Sequence, residues 1–166
     1  MPNNLKRITG RGDLHFVTFC CYQRRALLAT VEARDLAVRI LGEVRAEYGF
    51  ALVGYVIMPQ HVHLLLGESE AASPAKVLQV FKQRVSREMR AKDGAENNEA
   101  EGGLRRFWQR RYYDFNVYAR RKVDEKLEYM HANPLKEKLV KDLRDWPWSS
   151  WSYYETGMGM LKMDVV

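Results

Sequence analysis

The sequence predicts an α+β protein with a split βαβ arrangement, in which helices pack on a four-stranded antiparallel sheet. Short runs of β-branched, aromatic and leucine residues alternate with longer segments whose apolar residues recur every three to four positions. The order along the chain is strand, helix, strand, strand, helix, strand, and one further helix follows the last strand. In this topology the first and third strands are central neighbours, with helices on one face of the sheet.

Length and composition favour one folded domain over residues 1–166, with its core at about 6–152. The chain is 46% hydrophobic and carries a formal charge of +6, which suggests a polyanionic partner, nucleic acid before membrane. A merely basic soluble protein is the alternative. No segment has the length of a transmembrane helix, and no signal peptide opens the chain. The adjacent Cys20 and Cys21 are interpreted as reduced core residues of a cytoplasmic protein.

The first strand and helix are predicted from their apolar patterns. Residues 14–22 are apolar on both faces, as in a central strand, and His15 within them is expected to be a hydrogen-bonded structural histidine. Residues 31–48 form a helix whose apolar stripe repeats every four positions and which ends at Gly49. Arg34 and the other charged residues of this helix are assigned to its solvent side.

Two strands at 51–58 and 61–67 are joined by a tight turn at Pro59 and Gln60. Residues two apart on a strand share a face, so His61 and His63 point the same way and Val62 points into the core. Two neighbouring imidazoles on a rigid strand are a good start for a divalent metal site. The alternative is a pair of ordinary core or surface histidines.

The second helix begins after Ser73, which is a suitable N-cap before a proline, and runs to about residue 90. Its outer face carries charges of nearly one sign, including Lys76 and Arg87, which favours either a phosphate-facing surface or a plain solvated face. Residues 93–103 are acidic and glycine-rich and are expected to form a mobile loop.

Residues 105–113 combine four arginines with four aromatic residues, which suits contact with phosphates and unpaired bases. The alternative is a segment that enters the core with arginines extending to solvent, and residues 113–118 do alternate like a last strand. Residues 120–133 are predicted to form a helix that ends at Pro134. Residues 145–151 are expected to pack back on the domain, and 153–166 form a tail without a prediction.

Tyr129 and Asn133 are four residues apart and therefore share one face of the last long helix. A phenol can act as a nucleophile, and an amide oxygen can bind a metal. If this helix crosses the histidine strand, two imidazoles and one amide oxygen can hold an ion whose open positions take water or phosphate. Such mixed ligation suits Mg²⁺ or Mn²⁺ and lacks the thiolates of a closed zinc site.

Four blocks of the sequence resemble a known family, and together with the chain between them they cover roughly residues 6–152. Pro59–His63 is similar to the histidine–hydrophobic–histidine motif of HUH endonucleases. The other blocks resemble the single-tyrosine, IS200-like transposase domain, closest to REP-associated tyrosine transposases; they are residues 108–114, 128–134 and 146–150.

This resemblance implies a ferredoxin-like fold and metal-dependent cleavage and joining of single-stranded DNA through a 5′-phosphotyrosine intermediate. It implies that Tyr129 is the nucleophile and that His61, His63 and Asn133 bind the metal. IS200 transposases proper carry glutamine where this chain has Asn133. It also implies a substrate with foldback hairpins, while no nucleotide cofactor or membrane is expected, and the protein is expected to be a monomer or a homodimer.

Two sets of basic residues are expected to support this chemistry. Lys122 and Lys126 precede Tyr129 on its helix and can stabilise a phenolate or hold phosphate, unless they merely form a solvated face. The candidate DNA contacts are Lys6, Arg7, Lys76, Arg87, Arg105, Arg106, Arg110 and Arg111. Two other functions stay open: a catalytically silent nucleic-acid-binding module of the same fold, and a metal-dependent phosphoesterase that uses activated water.

Overall fold

The computed structural model describes residues 12–92 and 106–166. Its four strands form one antiparallel sheet in the order β2-β3-β1-β4, which confirms the predicted fold class and the central position of the first and third strands. The strands are β1 (Leu14–Cys20), β2 (Leu52–Ile57), β3 (His61–Gly67) and β4 (Tyr113–Val117). The predicted mobile loop at 93–103, and Lys6, Arg7 and Arg105, lie outside the described residues.

Four α-helices accompany this sheet in the described part of the chain: α1 (Val31–Tyr48), α2 (Pro74–Lys92), α3 (Arg120–Lys136) and α4 (Trp151–Thr156). Short 3₁₀ turns occur at Tyr22–Arg24 and Leu143–Asp145. Helix α1 has the predicted bounds because both ends are encoded locally. Thr30 caps the first turn by accepting a hydrogen bond from the Ala33 amide, and Gly49 ends the helix at φ 69°. None of the described helices is long and apolar enough to cross a membrane.

The helices lie on both faces of the sheet, so the expectation that they lie on one face is wrong: α2, with α1 packed against it, covers one face, and α3 covers the other. Phe19 of β1 packs edge-on against Phe81 of α2, with ring centroids 5.7 Å apart, so α2 covers the face to which Phe19 points. The neighbouring Thr18 points to the opposite face, where α3 packs. At Gly54 of β2 an added Cβ would lie 2.6 Å from a Leu127 side-chain atom of α3, so glycine allows the close approach of this helix. The helix that carries Tyr129 therefore lies across the sheet from α2.

Helix α3 continues through Pro134 to Lys136, so the prediction that it ends before the proline is wrong. Pro134 lacks the N–H that would donate to the Met130 carbonyl, and the helix ends two residues later. The last turn recovers other bonds, because the Glu137 amide donates to the Asn133 carbonyl at 3.0 Å and the Leu139 amide to the Pro134 carbonyl at 3.0 Å.

The C-terminal segment packs back on the domain through a stacked arginine. The Arg34 guanidinium lies 4.5 Å from the Trp146 ring centroid and 4.0 Å from that of Trp148. It also donates to the Leu28 and Ala29 carbonyls at 3.0 and 2.8 Å. Arg34 is 6% exposed, so its assignment to the solvent side of α1 is wrong. The periodicity of α1 does not reveal the two tryptophans that cover this position.

Further bonds anchor both the end of this segment, at Ser150, and the tail at 153–166 for which the sequence gives no prediction. The Ser150 amide donates to the Tyr55 carbonyl, and the Ser150 hydroxyl accepts from the Tyr55 amide at 3.0 Å. Farther along, the Asp164 carboxylate accepts a hydrogen bond from the Leu52 amide at 2.8 Å and pairs with Arg45. These bonds hold the tail against β2 and α1.

Candidate active site

The two histidines of β3 lie side by side on the face of the sheet that α3 covers. His61 and His63 are each 4% exposed, and their ring centroids are 4.7 Å apart. On the neighbouring strand, Cys20 pairs with His61 and Thr18 with His63. Val62 between them is fully buried toward the opposite face, as the alternation of a strand predicts. The sheet therefore fixes the backbone of both imidazoles near its centre.

Each imidazole keeps one buried nitrogen without a hydrogen-bond partner. His63 Nδ1 is 2.7 Å from Thr18 Oγ1, while His63 Nε2 has no partner. His61 Nδ1 is unpartnered too. A buried polar atom without a partner is costly and rare in native proteins, and a ligand is a common explanation for it. With the Nδ1 proton of His63 donated to Thr18, the Nε2 lone pair is available to a metal, and Thr18 orients the ring.

Electrostatics keeps both imidazoles in the neutral form that binds metals. Burial lowers the pKa of His63 to about 3, and the nearby charges of Arg24 and Lys126 act in the same direction. Burial also lowers the pKa of His61, and Arg24 adds to this effect, while the Glu137 carboxylate and a hydrogen bond with Asn133 oppose it. No proton therefore has to leave either ring before a metal binds near neutral pH.

Tyr129 of α3 lies beside this pair in the same chain. Its ring centroid is 5.5 Å from that of His63, and the tyrosine is 46% exposed. Phe16 stacks on His63 at 5.5 Å and meets Tyr129 edge-on at 6.1 Å. Apolar packing thus fixes one side of the phenol, while its other side stays open to a substrate.

Asn133 lies one turn after Tyr129 and is 7% exposed. Its amide nitrogen donates to the Tyr129 carbonyl at 2.9 Å, which distinguishes the nitrogen from the oxygen, and the oxygen is the group that faces His61 in their hydrogen bond. Within residues 12–92 and 106–166, no group of three or more His, Cys, Asp and Glu side chains can hold a metal ion. A third protein ligand beside the two imidazoles must therefore be of another type, and the amide oxygen of Asn133 fits that requirement.

Of the lysines predicted to lie near the phenol, the structure places one beside its aromatic neighbours and pairs the other with a carboxylate, and it adds a third lysine over the Tyr129 ring. Lys126 lies 4.8 Å from the ring centroids of both Phe16 and Phe115, and burial lowers its pKa. Lys122 instead forms an exposed ion pair with Glu125 at 2.9 Å. Lys136, which the sequence analysis missed, lies 5.0 Å from the Tyr129 ring centroid. The sequence could have indicated Lys136, because it follows Tyr129 by seven residues. Seven residues make about two helical turns and place both side chains on one face of the helix.

The arginine-rich segment before β4 borders a cavity of ≈ 360 Å³. Arg106, Arg110 and Arg111 are exposed, and the first two line this cavity. Its other lining residues include Leu78, Gln79, Lys82, Trp108 and Tyr112. Trp108 is mostly buried against Phe19 and Phe81. The alternative interpretation of residues 105–113, a segment that enters the core with its arginines in solvent, is therefore partly correct.

Lys76 and Arg87 are exposed on α2. This helix packs on the opposite face of the sheet from His61 and His63. The structure therefore does not bring these two predicted DNA contacts to the histidine pair, whereas it brings Tyr129 and Asn133 there.

The protein has a four-stranded antiparallel sheet on which two histidines face a helix that carries a tyrosine. This combination is typical of the class of DNA-processing enzymes that the sequence motifs resemble. The family model described as "Transposase IS200 like" matches residues 10–133. The chain therefore belongs to the IS200-like transposase family. Members of this family act on DNA and generally use a divalent metal ion.

Individual relatives agree with this assignment. The chain is 23% identical over 156 residues to the REP-associated tyrosine transposase of Escherichia coli K12, covering 93% of this chain and 85% of that protein. It is 26% identical over 153 residues to a Haemophilus influenzae protein provisionally given the same name, covering 89% and 85%. A solved structure of a REP-associated tyrosine transposase bound to a REP hairpin matches with a TM-score of 0.72 at 19% identity, covering 99% of this chain and 93% of that one.

Proposed function

We propose that this protein cleaves and rejoins single-stranded DNA at hairpin-containing sites, with Tyr129 as the nucleophile. One observation carries the proposal: in a single chain the Tyr129 ring lies 5.5 Å from His63, and His63 and His61 each keep a buried nitrogen without a partner. A phenol beside two neutral imidazoles is the arrangement that metal-assisted attack on a phosphodiester requires.

His61, His63 and Asn133 are the proposed metal ligands, and Mg²⁺ or Mn²⁺ is the proposed ion. Two nitrogens and one amide oxygen with open positions suit these ions, and the cysteine nearest to the site, Cys20, is a free thiol on the neighbouring strand. When bound, the metal would supply charge stabilisation and orientation of the scissile phosphate. The hydrogen bond between the Thr18 hydroxyl and His63 Nδ1 orients the ring.

The reaction is proposed as an in-line transesterification. The Tyr129 hydroxyl loses its proton to solvent, its oxygen forms a bond to phosphorus, and the bond from phosphorus to the 3′ oxygen breaks. The 3′ oxygen takes up a proton, and the DNA stays attached as a 5′-phosphotyrosine. The positive charges of Lys126 and Lys136 stabilise the developing phenolate. Attack by another 3′-hydroxyl reverses the step on a new strand without an external energy source.

Hairpin DNA is the proposed substrate because the structural neighbour was solved with a REP hairpin bound. Arg106, Arg110 and Arg111 are available for phosphates, and the cavity that Trp108 and Tyr112 line has room for an unpaired base. Binding is expected to weaken steeply as salt rises, since arginine–phosphate contacts release counterions.

A labelled hairpin oligonucleotide with single-stranded flanks, mixed with the protein and Mn²⁺, tests the proposal. We expect a covalent protein–DNA band on a denaturing gel. Tyr129→Phe should lower its yield by about 1000-fold or more, because phenylalanine has no nucleophilic oxygen. Hairpin binding and the melting temperature should stay unchanged, since Tyr129 is 46% exposed. Tyr118→Phe is the matched control, because Tyr118 is 81% exposed and contributes nothing to the site.

The same assay separates the other two functions. Cleavage without a covalent band that survives in Tyr129→Phe indicates a phosphoesterase that uses activated water. Metal-independent hairpin binding without any cleavage indicates a silent binding module. Either result refutes the proposed role of Tyr129.

A further inference from the structure

A turn with two left-handed residues follows β1 and leads the chain toward the histidine pair. Gln23 and Arg24 both have φ 53°, a conformation that side-chain-bearing residues rarely adopt. Neither is glycine, asparagine or aspartate, so the local sequence does not favour this backbone. Residues in such conformations cluster at functional sites, where the surrounding structure holds them in place.

Backbone hydrogen bonds attach this turn to the segment that precedes His61. The Cys21 amide donates to the Gln60 carbonyl at 2.9 Å, and the Leu28 amide donates to the Pro59 carbonyl at 2.9 Å. On the other side, the Tyr22 amide donates to the Phe107 carbonyl at 2.8 Å. The conformation of Arg24 is therefore fixed by the turn that also sets the start of β3.

This geometry brings the Arg24 guanidinium to the histidines. Its Nη1 donates to the Cys20 sulfur at 3.5 Å, and Cys20 is the strand partner of His61. Cys20 and His61 lie directly opposite each other on adjacent strands, so the guanidinium lies near the histidine-bearing face of the sheet. Arg24 itself is exposed, and in the described part of the chain it forms no ion pair with a carboxylate.

An arginine that has no carboxylate partner among the described residues and lies near two proposed metal ligands favours an anionic ligand at this place. The guanidinium does not deprotonate and binds two phosphate oxygens in one plane. We propose that Arg24 binds the non-bridging oxygens of the scissile phosphate and stabilises the charge that develops on them as Tyr129 attacks. Arg24 transfers no proton in this step. The inference rests on the proposed function and adds a catalytic residue that the sequence analysis did not identify.

The test compares single-turnover formation of the covalent adduct at saturating hairpin DNA. Arg24→Gly removes the guanidinium while easing the left-handed backbone, and Arg24→Ala and Arg24→Lys complete the series. Arg25→Ala is the matched control, because Arg25 is also exposed but has φ −68°. We expect Arg24→Gly and Arg24→Ala to slow the reaction by about 100-fold or more, with dissociation constants within about threefold of wild type. Arg24→Lys should recover part of the rate, and Arg25→Ala should match wild type.

A substrate with a neutral methylphosphonate at the scissile position distinguishes charge stabilisation from support of the turn. The rate ratio between wild type and Arg24→Gly should shrink at least tenfold on this substrate, because the charge that Arg24 balances is missing. An unchanged ratio overturns the inference, as does a defect in binding alone or wild-type rates in the Arg24 variants. Absence of the adduct in wild type overturns the proposed function and this inference with it.

Discussion

Buried histidines occur at two places on neighbouring strands of the sheet: His15 on β1, and the pair His61 and His63 on β3. These two groups differ in their hydrogen bonds. His15 of β1 is fully buried, and both of its nitrogens are used: Nδ1 is 2.9 Å from Asp114 Oδ1, and Nε2 is 2.8 Å from Glu68 Oε1. His61 and His63 of β3 are almost as buried, yet each keeps a nitrogen without a partner. The hydrogen bonds expected of a structural histidine are present at His15 and incomplete at the β3 pair.

The electrostatic consequences have opposite signs. Burial alone lowers the pKa of His15, but its hydrogen bonds to Asp114 and Glu68 outweigh burial, so that its pKa is raised. At His61 and His63 no carboxylate reverses the effect of burial, and the pKa of each is lowered. The same fold thus contains an imidazole stabilised as a cation and two kept neutral. The first is suited to hold strands together, and the others are suited to bind a metal.

The largest expected effect is at His63. His63→Ala should slow adduct formation by on the order of 1000-fold, because it removes a proposed ligand of an ion that contributes several kcal/mol to transition-state stabilisation. Wild type should melt at a higher temperature with Mn²⁺ than with a chelator, since a ligand that binds the folded state stabilises it. The variant should lose this increase, whereas His15→Ala should retain it.

A metal-dependent increase in melting temperature that persists in His63→Ala would contradict the assignment of this ligand. Loss of the increase in His15→Ala, measured relative to the melting temperature of that variant in chelator, would remove the contrast between the two groups.

The next effect concerns stability. His15→Ala leaves the Asp114 carboxylate buried without its imidazole and should cost about 3–5 kcal/mol of unfolding free energy. For a chain of this length that loss lowers the melting temperature by roughly 10 °C. Thermal unfolding followed by circular dichroism checks this.

Adding Asp114→Asn and Glu68→Gln to His15→Ala should restore part of the loss, because these changes remove the unpaired charges. Adduct formation by His15→Ala, assayed at a temperature where it is folded, should stay within about threefold of wild type. A large loss of activity in the folded variant would argue against a purely structural role for this cluster.

The structure also explains what the sequence could and could not predict. The bounds of α1 and β3 agree with the prediction, because an N-cap at Thr30, a glycine at 49 and an uninterrupted apolar strand are local signals. The helix that carries Tyr129 was predicted too short, because the bonds that the later amides of Glu137 and Leu139 donate to the carbonyls of Asn133 and Pro134 are not visible in the local sequence.

The site was only partly predictable, because local patterns in the sequence reveal only some of its residues. The shared face of His61 and His63 follows from strand alternation, and that of Tyr129 and Asn133 from helical spacing. Thr18 was not found, because its contact with His63 depends on pairing between strands 45 residues apart. Arg24 was not found either, because its position depends on a left-handed backbone that its own residue type disfavours.

A smaller effect is expected at Thr18, which links the two central strands at the site. Thr18→Val keeps the shape of the side chain but removes the hydroxyl that is hydrogen-bonded to His63 Nδ1. Such partners of a metal-bound histidine typically contribute 10–100-fold to metal affinity, and we expect a loss of about 10-fold. Titration with Mn²⁺ by calorimetry measures it, with Thr18→Ser as the control that retains the hydroxyl. Equal affinity for all three proteins would show that Thr18 does not orient the ring.

The smallest expected effect is on the pH dependence of the unfolding free energy. Its alkaline decline is assigned to His15, and its acid decline to His61 and His63. A group whose folded-state pKa is raised stabilises the fold below its unfolded pKa, about 6.5 for histidine, and loses this contribution as pH rises through the folded value. His15 should therefore make the unfolding free energy fall on the alkaline side. The lowered pKa values of His61 and His63 act the other way, and stability falls as pH drops below about 6.5.

Denaturant unfolding between pH 5 and 9 with a chelator present separates these limbs. The decline above pH 6.5 should be shallower in His15→Gln than in wild type, and the decline below it should be unchanged. His63→Ala should show the reverse, because it removes only a group that resists protonation. If His15→Gln also altered the acid limb, the two groups would be coupled across the central strands, and the division of the sheet into a structural and a metal-binding histidine group would fail.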